Sequence, residues 1–417
     1  MATNVRTRSM PREALLPRQQ MAELSEQRAV HAAFAWFRRN EAELCRWQME
    51  FASIPAPPFG EAERGEWLRA KFAGLGLRDC RTDDAGNVLA IFPGGDGERG
   101  ALALTSHIDT VFPAGTTIKI RRDGERLLGP GISDNASGVT ALLALAAAMN
   151  SAELRTEKQI LFAGTVGEEG EGNLRGMRHL FASEPWKDSI AHTLVVDGAG
   201  TETIVKQALG SRRFEVTVRG KGGHSWSDFG DPNPIAVLAR AVADFYKTHA
   251  PAAPKKKSAY NVGVIAGGTS VNSIPESASM RVDLRGESEE EIDRLEIALR
   301  AAVEQAVKAN AQGAAGRKLN AEIRKIGDRP AADLIAGARI LQIARAADAH
   351  LGIRSRLHIS STDANIPLSL GKEAVSIGAG GTGGGAHTLN EWFDPLGRDL
   401  GLKRILLITL ALAGLQD

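Results

Sequence analysis

Four short apolar runs, separated by helical segments, constrain the fold of this 417-residue chain more than any other feature. The runs span residues 88–92, 101–105, 159–165 and 193–197. Continuous apolar runs of this length are typical of strands that are buried on both faces of a sheet. The alanine- and leucine-rich segment 137–149 predicts a helix between the second and third runs. The alternation predicts an α/β fold with a mixed, largely parallel sheet flanked by helices.

The pattern changes after residue 210, where apolar and charged residues begin to alternate. Phe214, Val216 and Val218 share one face of a predicted strand, and Val282 and Leu284 share one face of another. A single core rarely grows beyond about 300 residues, so two domains are expected. We predict a main domain from residues 1–210 and 328–417, with a smaller α/β domain, residues 211–327, inserted into it. Helical spacing of apolar residues also predicts one long helix over residues 23–51.

The charge balance points to a small ligand. The chain has 51 Lys and Arg against 50 Asp and Glu, a formal net charge of +1, so no uniform field favours nucleic acid or a membrane surface as partner. Its two cysteines, Cys45 and Cys80, are isolated and predict reduced thiols. Residues 1–20 lack the apolar core of a secretory signal, so a cytoplasmic protein is expected.

Ligand-type side chains follow the predicted strands at the point where each one ends. His107 and Asp109 follow the second run, Glu168 and Glu169 follow the third, and Asp197 ends the fourth. In open α/β sheets, ligands bind at the carboxyl ends of the strands. We therefore expect these side chains to converge on one site.

Two further residues complete a candidate set of metal ligands. Asp134 stands at the start of the helix over 137–149, and His387 follows a strand and a glycine-rich loop. The predicted set is His107, Asp134, Glu169, Asp197 and His387. Two imidazoles with three carboxylates suit zinc, and also cobalt or manganese. A pair of divalent ions requires a bridging carboxylate, for which Asp134 is the candidate.

The neighbouring acids divide the remaining roles. Asp109 lies two residues after His107, on the same face of an extended chain, where it can accept the second ring N–H of that histidine. The adjacent Glu168 and Glu169 point in opposite directions on an extended backbone, so one should ligate and the other should face the attacking water. Each residue alone has a simpler interpretation, such as a helix N-cap for Asp134. The five together do not.

Five motifs in order resemble the co-catalytic zinc peptidases that include peptidase T, glutamate carboxypeptidase, acetylornithine deacetylase and succinyl-diaminopimelate desuccinylase. The motifs are SHIDT, GISDNASG, TVGEEGEGNLRG, VVDG and AHTLNEW. The resemblance covers nearly the whole chain after residue 25. It implies a zinc exopeptidase-like fold in which the inserted domain is a lid and dimerisation domain, and hence a homodimer.

The same resemblance implies a role for each motif residue. His107 and Asp197 would bind one metal and Glu169 and His387 the other, with Asp134 bridging, Glu168 as general base and Asp109 as the partner of His107. In the inserted domain, His224 would stabilise the oxyanion, and Asn272 and Arg285 would bind substrate. Asp363 and Asn365, in the motif SSTDAN, would belong to a substrate loop.

The resemblance also indicates the reaction. Carboxypeptidase- and deacylase-like members of that family tend to have Glu where this chain has Asp197, whereas peptidase T has Asp. This favours an aminopeptidase acting on short peptides. Two alternatives stay open at this point: an N-acyl- or N-carbamoyl-amino-acid amidohydrolase, and a catalytically silent binding protein with the same fold.

Overall fold

The computed structural model describes residues 16–95, 101–248, 256–310 and 318–416, which form two compact units. Unit 1 contains the described residues up to Gln207 and from Asp333 onwards, and unit 2 spans Ala208–Ala332. Unit 2 extends beyond the predicted bounds of 211 and 327 because its strands continue further at both ends. The prediction about a secretory signal concerned residues 1–20, most of which lie outside the described residues.

The first part of unit 1 alternates helices and strands. Its elements are α1 (Pro17–Glu26), α2 (Arg28–Arg39), α3 (Glu41–Ser53), α4 (Ala62–Gly74), β1 (Arg78–Thr82), β2 (Val88–Phe92), β3 (Ala101–His107), β4 (Arg121–Asp123), β5 (Arg126–Leu128), α5 (Ala136–Ser151), β6 (Ile160–Thr165), α6 (Arg175–Ala182), α7 (Trp186–Ser189), β7 (Ile190–Val196) and β8 (Thr203–Ala208).

The prediction of a single helix over residues 23–51 is wrong, because three helices cover this region. The backbone is extended at Gln27, which separates α1 from α2. Asn40 separates α2 from α3, and its side-chain amide donates a hydrogen bond of 2.8 Å to the carbonyl of Trp36. The same carbonyl accepts the backbone N–H of Asn40 at 3.0 Å, so Asn40 caps the end of α2 with both its backbone and its side chain. Apolar spacing continued across both breaks, so periodicity alone concealed them.

Unit 2 is a small α/β unit with an antiparallel sheet. Its elements are β9 (Gly210–Arg219), β10 (Gly223–His224), α8 (Pro234–Thr248), β11 (Ser258–Gly267), β12 (Ser273–Ile274), β13 (Ser277–Gly286), α9 (Glu289–Asn310) and β14 (Asn320–Arg329). The sheet has the order β11-β13-β9-β14, and β10 pairs with β12 separately. Phe214, Val216 and Val218 of β9 lie in the core with Val237 of α8 and Leu299 of α9. The alternation along β9 thus places one face of the sheet against two helices.

The last part of the chain completes unit 1. Its elements are β15 (Ala332–Asp333), α10 (Arg339–Leu351), β16 (Arg356–Ser360), α11 (Asn365–Ser369), β17 (Glu373–Ile377), β18 (Thr382–Gly384), β19 (Trp392–Asp394) and α12 (Arg398–Ala413). Within the described ranges, no helix has the length and apolar character needed to cross a bilayer.

The main sheet of unit 1 has the strand order β1-β2-β6-β3-β7-β17-β8-β15, and β16 also pairs with β8. Its centre is parallel, because β6, β3, β7 and β17 run in one direction. On the flanks, β2 is antiparallel to β6 and β8 is antiparallel to β17. The predicted α/β class with a mixed, largely parallel sheet is confirmed.

The parallel strands end at one edge of this sheet. β3 ends at His107, β6 at Thr165 and β7 at Val196, and all residues of β3 and β6 are buried. Helix α5 packs on β3 and β7 and is buried along nearly its whole length, as its alanine and leucine content requires. The segments that carry the predicted ligands therefore leave a rigid, buried framework at a shared edge.

Candidate metal centre

The five predicted metal ligands meet at the carboxyl edge of the parallel strands. His107 is the last residue of β3, and Asp134 lies two residues before α5. Glu169 follows β6 and Asp197 follows β7, while His387 lies in the loop after β18. Ligand atoms of His107, Asp134 and Glu169 all lie within 4.8 Å of one another.

Asp134 lies between the two histidines and directs a different oxygen to each. Its Oδ1 is 3.0 Å from Nε2 of His107, and its Oδ2 is 3.1 Å from Nε2 of His387. Asp197 Oδ1 lies 3.5 Å from Nε2 of His107, and Glu169 Oε1 lies 3.0 Å from Nε2 of His387. At Nε2, each imidazole thus shares Asp134 and faces one further carboxylate. This donor set fits two divalent ions with a bridging carboxylate.

The electrostatics of this cluster favour positive charge. Hydrogen bonds to Asp134 and Glu169 raise the pKa of His387 to about 10. Burial acts to lower the pKa of His107, but its three carboxylate neighbours outweigh burial and raise it well above the ordinary value. Burial acts to raise the pKa of Asp134, yet the two imidazoles outweigh it and lower that pKa strongly. Protons on the imidazoles therefore compete with cations for the same nitrogen atoms.

Asp109 fixes the backbone that carries the two glutamates. It is fully buried, and its carboxylate accepts hydrogen bonds from the backbone N–H groups of Glu168 at 3.0 Å and Glu169 at 2.8 Å. Nδ1 of His107 lies 3.6 Å from Asp109 Oδ1, but only 3.2 Å from the backbone carbonyl oxygen of Asp109. The nearer acceptor for the imidazole N–H is thus the carbonyl. Asp109 therefore lies beside His107. The role of its carboxylate as hydrogen-bond partner of that imidazole stays a prediction.

The sequence matches a known family over most of its length. A sequence profile of peptidase family M20/M25/M40 matches residues 103–408, which include every residue of the cluster. The chain belongs to this family. The resemblance noted in its motifs is therefore confirmed.

Relatives of the M20 chain illustrate the range of the family. Carboxypeptidase G2 of Pseudomonas sp. (strain RS-16) is 26% identical over 248 residues, which cover 56% of this chain and 57% of that protein. The chain thus matches little more than half the length of this curated relative. The aminopeptidase PepT of Bacillus cereus ATCC 10987 has a similar fold, with a TM-score of 0.71 and 22% identity over 90% of this chain and 99% of that chain.

A dinuclear member of the family also shares the fold. The YXEP protein of Bacillus subtilis, described as a dinuclear metal-binding peptidase of family M20, has a TM-score of 0.66. It is 15% identical, and the match covers 90% of this chain and 99% of that chain. At this level of identity the likeness shows the fold, and the ligand assignment of this M20 chain depends on its own geometry.

Glu391 was missed as a site residue by the sequence analysis. It is fully buried, and its carboxylate accepts backbone N–H groups from Gly131 at 2.9 Å and from Ser133 and Asp134 at 2.7 Å each. Burial raises its pKa to about 7, although these three hydrogen bonds act in the opposite direction. Its position four residues after His387 was the available signal. Glu391 therefore links the loop of His387 to the loop of Asp134.

Replacement of Glu391 by Gln should weaken metal binding without removing a ligand. Glutamine would place its N–H₂ group against a backbone N–H donor, so the loop of Asp134 should shift. Loss of such supporting contacts typically lowers metal affinity by about 10–100-fold. Metal titration of the metal-free chain measures the effect, with Glu23→Gln on the exposed face of α1 as a control of equal charge change. An unchanged affinity in Glu391→Gln would contradict this positioning role.

Asn135 ties the start of α5 to the end of β7. Its side-chain oxygen accepts N–H groups from Gly138 at 3.0 Å and Gly198 at 3.1 Å, and its amide donates to the carbonyl of Val196 at 3.0 Å. Asp134 directly precedes Asn135, and Asp197 lies between Val196 and Gly198. One buried amide thus fixes the spacing between two predicted ligands.

Asp363 and Asn365 are buried inside unit 1. Asp363 accepts a hydrogen bond from the hydroxyl of Thr165, and burial raises its pKa to about 7. Asn365 is fully buried, and its side-chain oxygen accepts the backbone N–H of Thr362 at 2.9 Å. The structure thus gives both residues contacts within the protein. Their predicted part in substrate binding stays a prediction.

Unit 2 carries the other three predicted site residues. His224 on β10 pairs with Ser273 on β12, and the backbone N–H of Ser225 donates to the carbonyl of Asn272 at 2.9 Å. His224 and Asn272 are therefore neighbours. The side chain of Arg285 on β13 forms an ion pair with Asp283 of the same strand, and its Nε lies 2.7 Å from Asp283 Oδ2.

Proposed function

We propose that the chain is a metal-dependent hydrolase that cleaves a terminal amide bond in short peptides. The observation that carries this proposal is the position of Asp134, whose two oxygens face two different imidazoles, each with a second carboxylate beside it. The native ions are proposed to be zinc, with cobalt or manganese as chemically acceptable substitutes. Membership of a peptidase family supports the same reaction.

The residues around the cluster divide the chemical work. His107, Asp197, Asp134, Glu169 and His387 would hold two divalent ions, which when bound polarise a scissile carbonyl and make water easier to deprotonate. Glu169 lies against His387, so the adjacent Glu168 is the acid left to serve as general base. Glu168 would take the proton of the attacking water and pass it to the leaving amine. Its 5% exposure keeps bulk water away from that carboxylate.

The proposal further favours an aminopeptidase. Asp197 occupies the position at which peptidase T-like members of the family have Asp, and the likeness to the aminopeptidase PepT supports the same direction. The similarity to Carboxypeptidase G2 instead supports a carboxypeptidase. A carboxypeptidase needs a cation for the free carboxylate of its substrate. Arg285, the predicted candidate for that part, is engaged by Asp283.

A substrate panel tests this function. The metal-loaded chain should release the first residue from di- and tripeptides and leave N-acyl- and N-carbamoyl-amino acids intact. The reverse pattern would establish the amidohydrolase alternative. Bound metal with no hydrolysis of any substrate would establish a silent binding protein. Release of the last residue from peptides with a blocked amine would establish a carboxypeptidase.

Metal removal and pH should act through the same five ligands. Exhaustive chelation should abolish activity, and zinc, cobalt or manganese should restore it. Neighbouring carboxylates raise the pKa of both histidines in the metal-free chain, so each imidazole holds a proton more tightly and must lose it to bind metal. Metal affinity should therefore fall as the pH falls. Calorimetry in buffers of different ionisation enthalpy should show proton release on binding, and full activity after chelation would contradict the metal mechanism.

We further propose that unit 2 forms a homodimer in which His224 completes the site of the partner. The N–H of Trp226 donates to Nδ1 of His224, which leaves Nε2 to carry a proton that can be donated to an oxyanion. Trp226, Phe229 and Val271 beside it are 85%, 86% and 104% exposed. Exposed apolar side chains in one region mark a contact surface.

The two free cysteines support a reducing, cytoplasmic location.

Mixing two inactive variants tests donation of His224 to a partner. His224→Ala keeps the metal cluster, and Glu168→Ala keeps unit 2 intact. Each alone should be nearly inactive, whereas a mixed dimer contains one site with both residues, so activity should return after subunit exchange. Verified exchange without recovery would show that His224 acts in its own chain or has no catalytic part.

A further inference from the structure

A cavity of about 390 Å³ opens beside the candidate metal centre in unit 1. Asp134 and Asp197 line it on the side of the metal centre, and Glu202 lines it as well. Its volume falls in the range of small-molecule pockets, about 300–1,000 Å³. A substrate group held near the candidate metal centre can therefore extend into this space.

Glycine-rich backbone forms much of the remaining wall, together with Ser133, Thr382 and Ala386. It comes from two segments, Gly198 to Gly200 after β7 and Gly383 to Gly384 in β18. A Cβ atom at Gly200 would collide with the carboxylate of Glu202, and Gly200 has φ +90°. A Cβ atom at Gly383 would collide with the hydroxyl of Ser133. Glycine at position 200 thus leaves room for the Glu202 side chain, and glycine at position 383 leaves room for the Ser133 hydroxyl.

Glu202 is held in place by two backbone contacts. Its Oε2 accepts the N–H of Thr201 at 2.9 Å, and its own carbonyl accepts the N–H of Arg356, at the start of β16, at 2.8 Å. The first contact fixes the carboxylate and the second fixes the backbone. Glu202 is exposed, and its contact with Thr201 favours one orientation of the carboxylate before a ligand arrives, which reduces the entropy lost on binding.

The charges of the cavity are all negative. No Lys, Arg or His is among its lining residues, and no described basic side chain lies within 4.0 Å of the Glu202 carboxylate. Two of the three carboxylates, those of Asp134 and Asp197, are committed to metal in the proposed function. The charge of Glu202 remains for the ligand, and a cationic group is its chemical complement.

We propose that Glu202 is a specificity-determining residue that binds a cationic group of the substrate. This inference rests on the proposed function, in which the substrate is a short peptide. Two groups supply the same chemistry: the free α-ammonium group of the peptide and the side chain of a basic residue. A carboxylate in this cavity would be repelled, so Glu202 also works against substrates that place a free C-terminus there.

Affinity measurements separate this inference from the proposed function. In the metal-loaded Glu168→Gln background, turnover is slow and the dissociation constants of intact peptides can be measured by calorimetry. The peptide series is Ala-Ala-Ala, its analogue without the α-amino group, Lys-Ala-Ala and Met-Ala-Ala. Turnover of the same peptides by the unmodified chain tests the proposed function independently.

The two cationic groups give different patterns. If Glu202 binds the α-ammonium group, the analogue without it should bind about 10–100-fold more weakly, and Glu202→Gln should abolish that difference. If Glu202 binds a basic side chain, Lys-Ala-Ala should bind more tightly than Met-Ala-Ala, and Glu202→Gln should abolish only that preference. Glu202→Asp, one methylene shorter, should give an intermediate result.

Control variants keep the test sharp. Glu23→Gln removes an exposed charge on α1 and should leave all four affinities unchanged. Metal content and circular dichroism of each Glu202 variant should match the unmodified chain. Equal affinities for all four peptides, or preferences that survive in Glu202→Gln, would overturn the inference even where turnover supports the proposed function. If the peptides are not cleaved but their affinities still depend on Glu202, the proposed function would be overturned and this inference about binding would stand.

Discussion

Glu168→Gln should lower kcat by about 10²–10⁴-fold or more while both metal ions stay bound, because a base is lost and no ligand is removed. Glutamine has the same size and still fills the space of the 5% exposed Glu168 side chain. It cannot accept a proton from the attacking water at neutral pH. Kinetics with metal analysis on the same sample measures both quantities. The Michaelis constant should change little, since the substrate contacts remain.

Glu169→Ala is the matched counterpart of this variant. Glu169 Oε1 lies 3.0 Å from Nε2 of His387, so its removal should cost a metal ion as well as activity. The two variants differ by one position in the chain and should differ in metal content. Retention of both ions in Glu169→Ala with loss of an ion in Glu168→Gln would show that the two acids have exchanged roles.

The positions of the ligands could be predicted because chain topology determines them. His107, Glu169 and Asp197 each lie at or just after the end of a parallel strand, and those ends share one edge of the sheet. A run of buried apolar residues reveals each strand, and the polar residue that follows marks its end. Convergence then follows from the rule for parallel sheets, without any knowledge of side-chain conformation.

Supporting contacts could not be predicted in this way. Glu391 binds backbone N–H groups about 260 positions earlier in the chain, and no local pattern reveals which buried acid meets which loop. Glu202 lies outside the five motifs, and only the cavity shows that it adjoins Asp197. The breaks at Gln27 and Asn40 were concealed because apolar spacing continued through them. Each case depends on a tertiary contact or a local backbone angle that periodicity does not encode.

The predicted substrate contact of Asp363 and Asn365 stays a prediction. Their side chains are 1% and 0% exposed, which is comparable to the 2% exposure of His107 in the metal centre. Sequence patterns identify residue types that suit a function but give no measure of accessibility. Accessibility matters less for predicting the metal centre, because several motifs in the chain independently indicate the same site.

Asp134→Asn should disrupt both metal positions at once, whereas other ligand changes should affect one. The two oxygens of Asp134 lie 3.0 Å and 3.1 Å from Nε2 of His107 and His387 respectively. Asparagine preserves the size of the side chain but replaces one of these oxygens with an N–H₂ group, which cannot ligate. We expect bound metal to fall from about two ions per chain to one or fewer, with activity at least about 100-fold lower.

The pKa values of His107 and His387 in the metal-free chain provide a second, independent test of Asp134→Asn. Hydrogen bonds to Asp134 and Glu169 raise the pKa of His387, and Asp134 also contributes to the raised pKa of His107. Loss of a negative charge destabilises the protonated imidazoles, so the pKa of both should fall in Asp134→Asn, which NMR titration can measure. In Asp197→Asn, by contrast, the larger fall should be confined to His107, because Asp197 lies 3.5 Å from its Nε2. Wild-type metal content together with unchanged histidine pKa values in Asp134→Asn would show that Asp134 does not lie between the two metal positions.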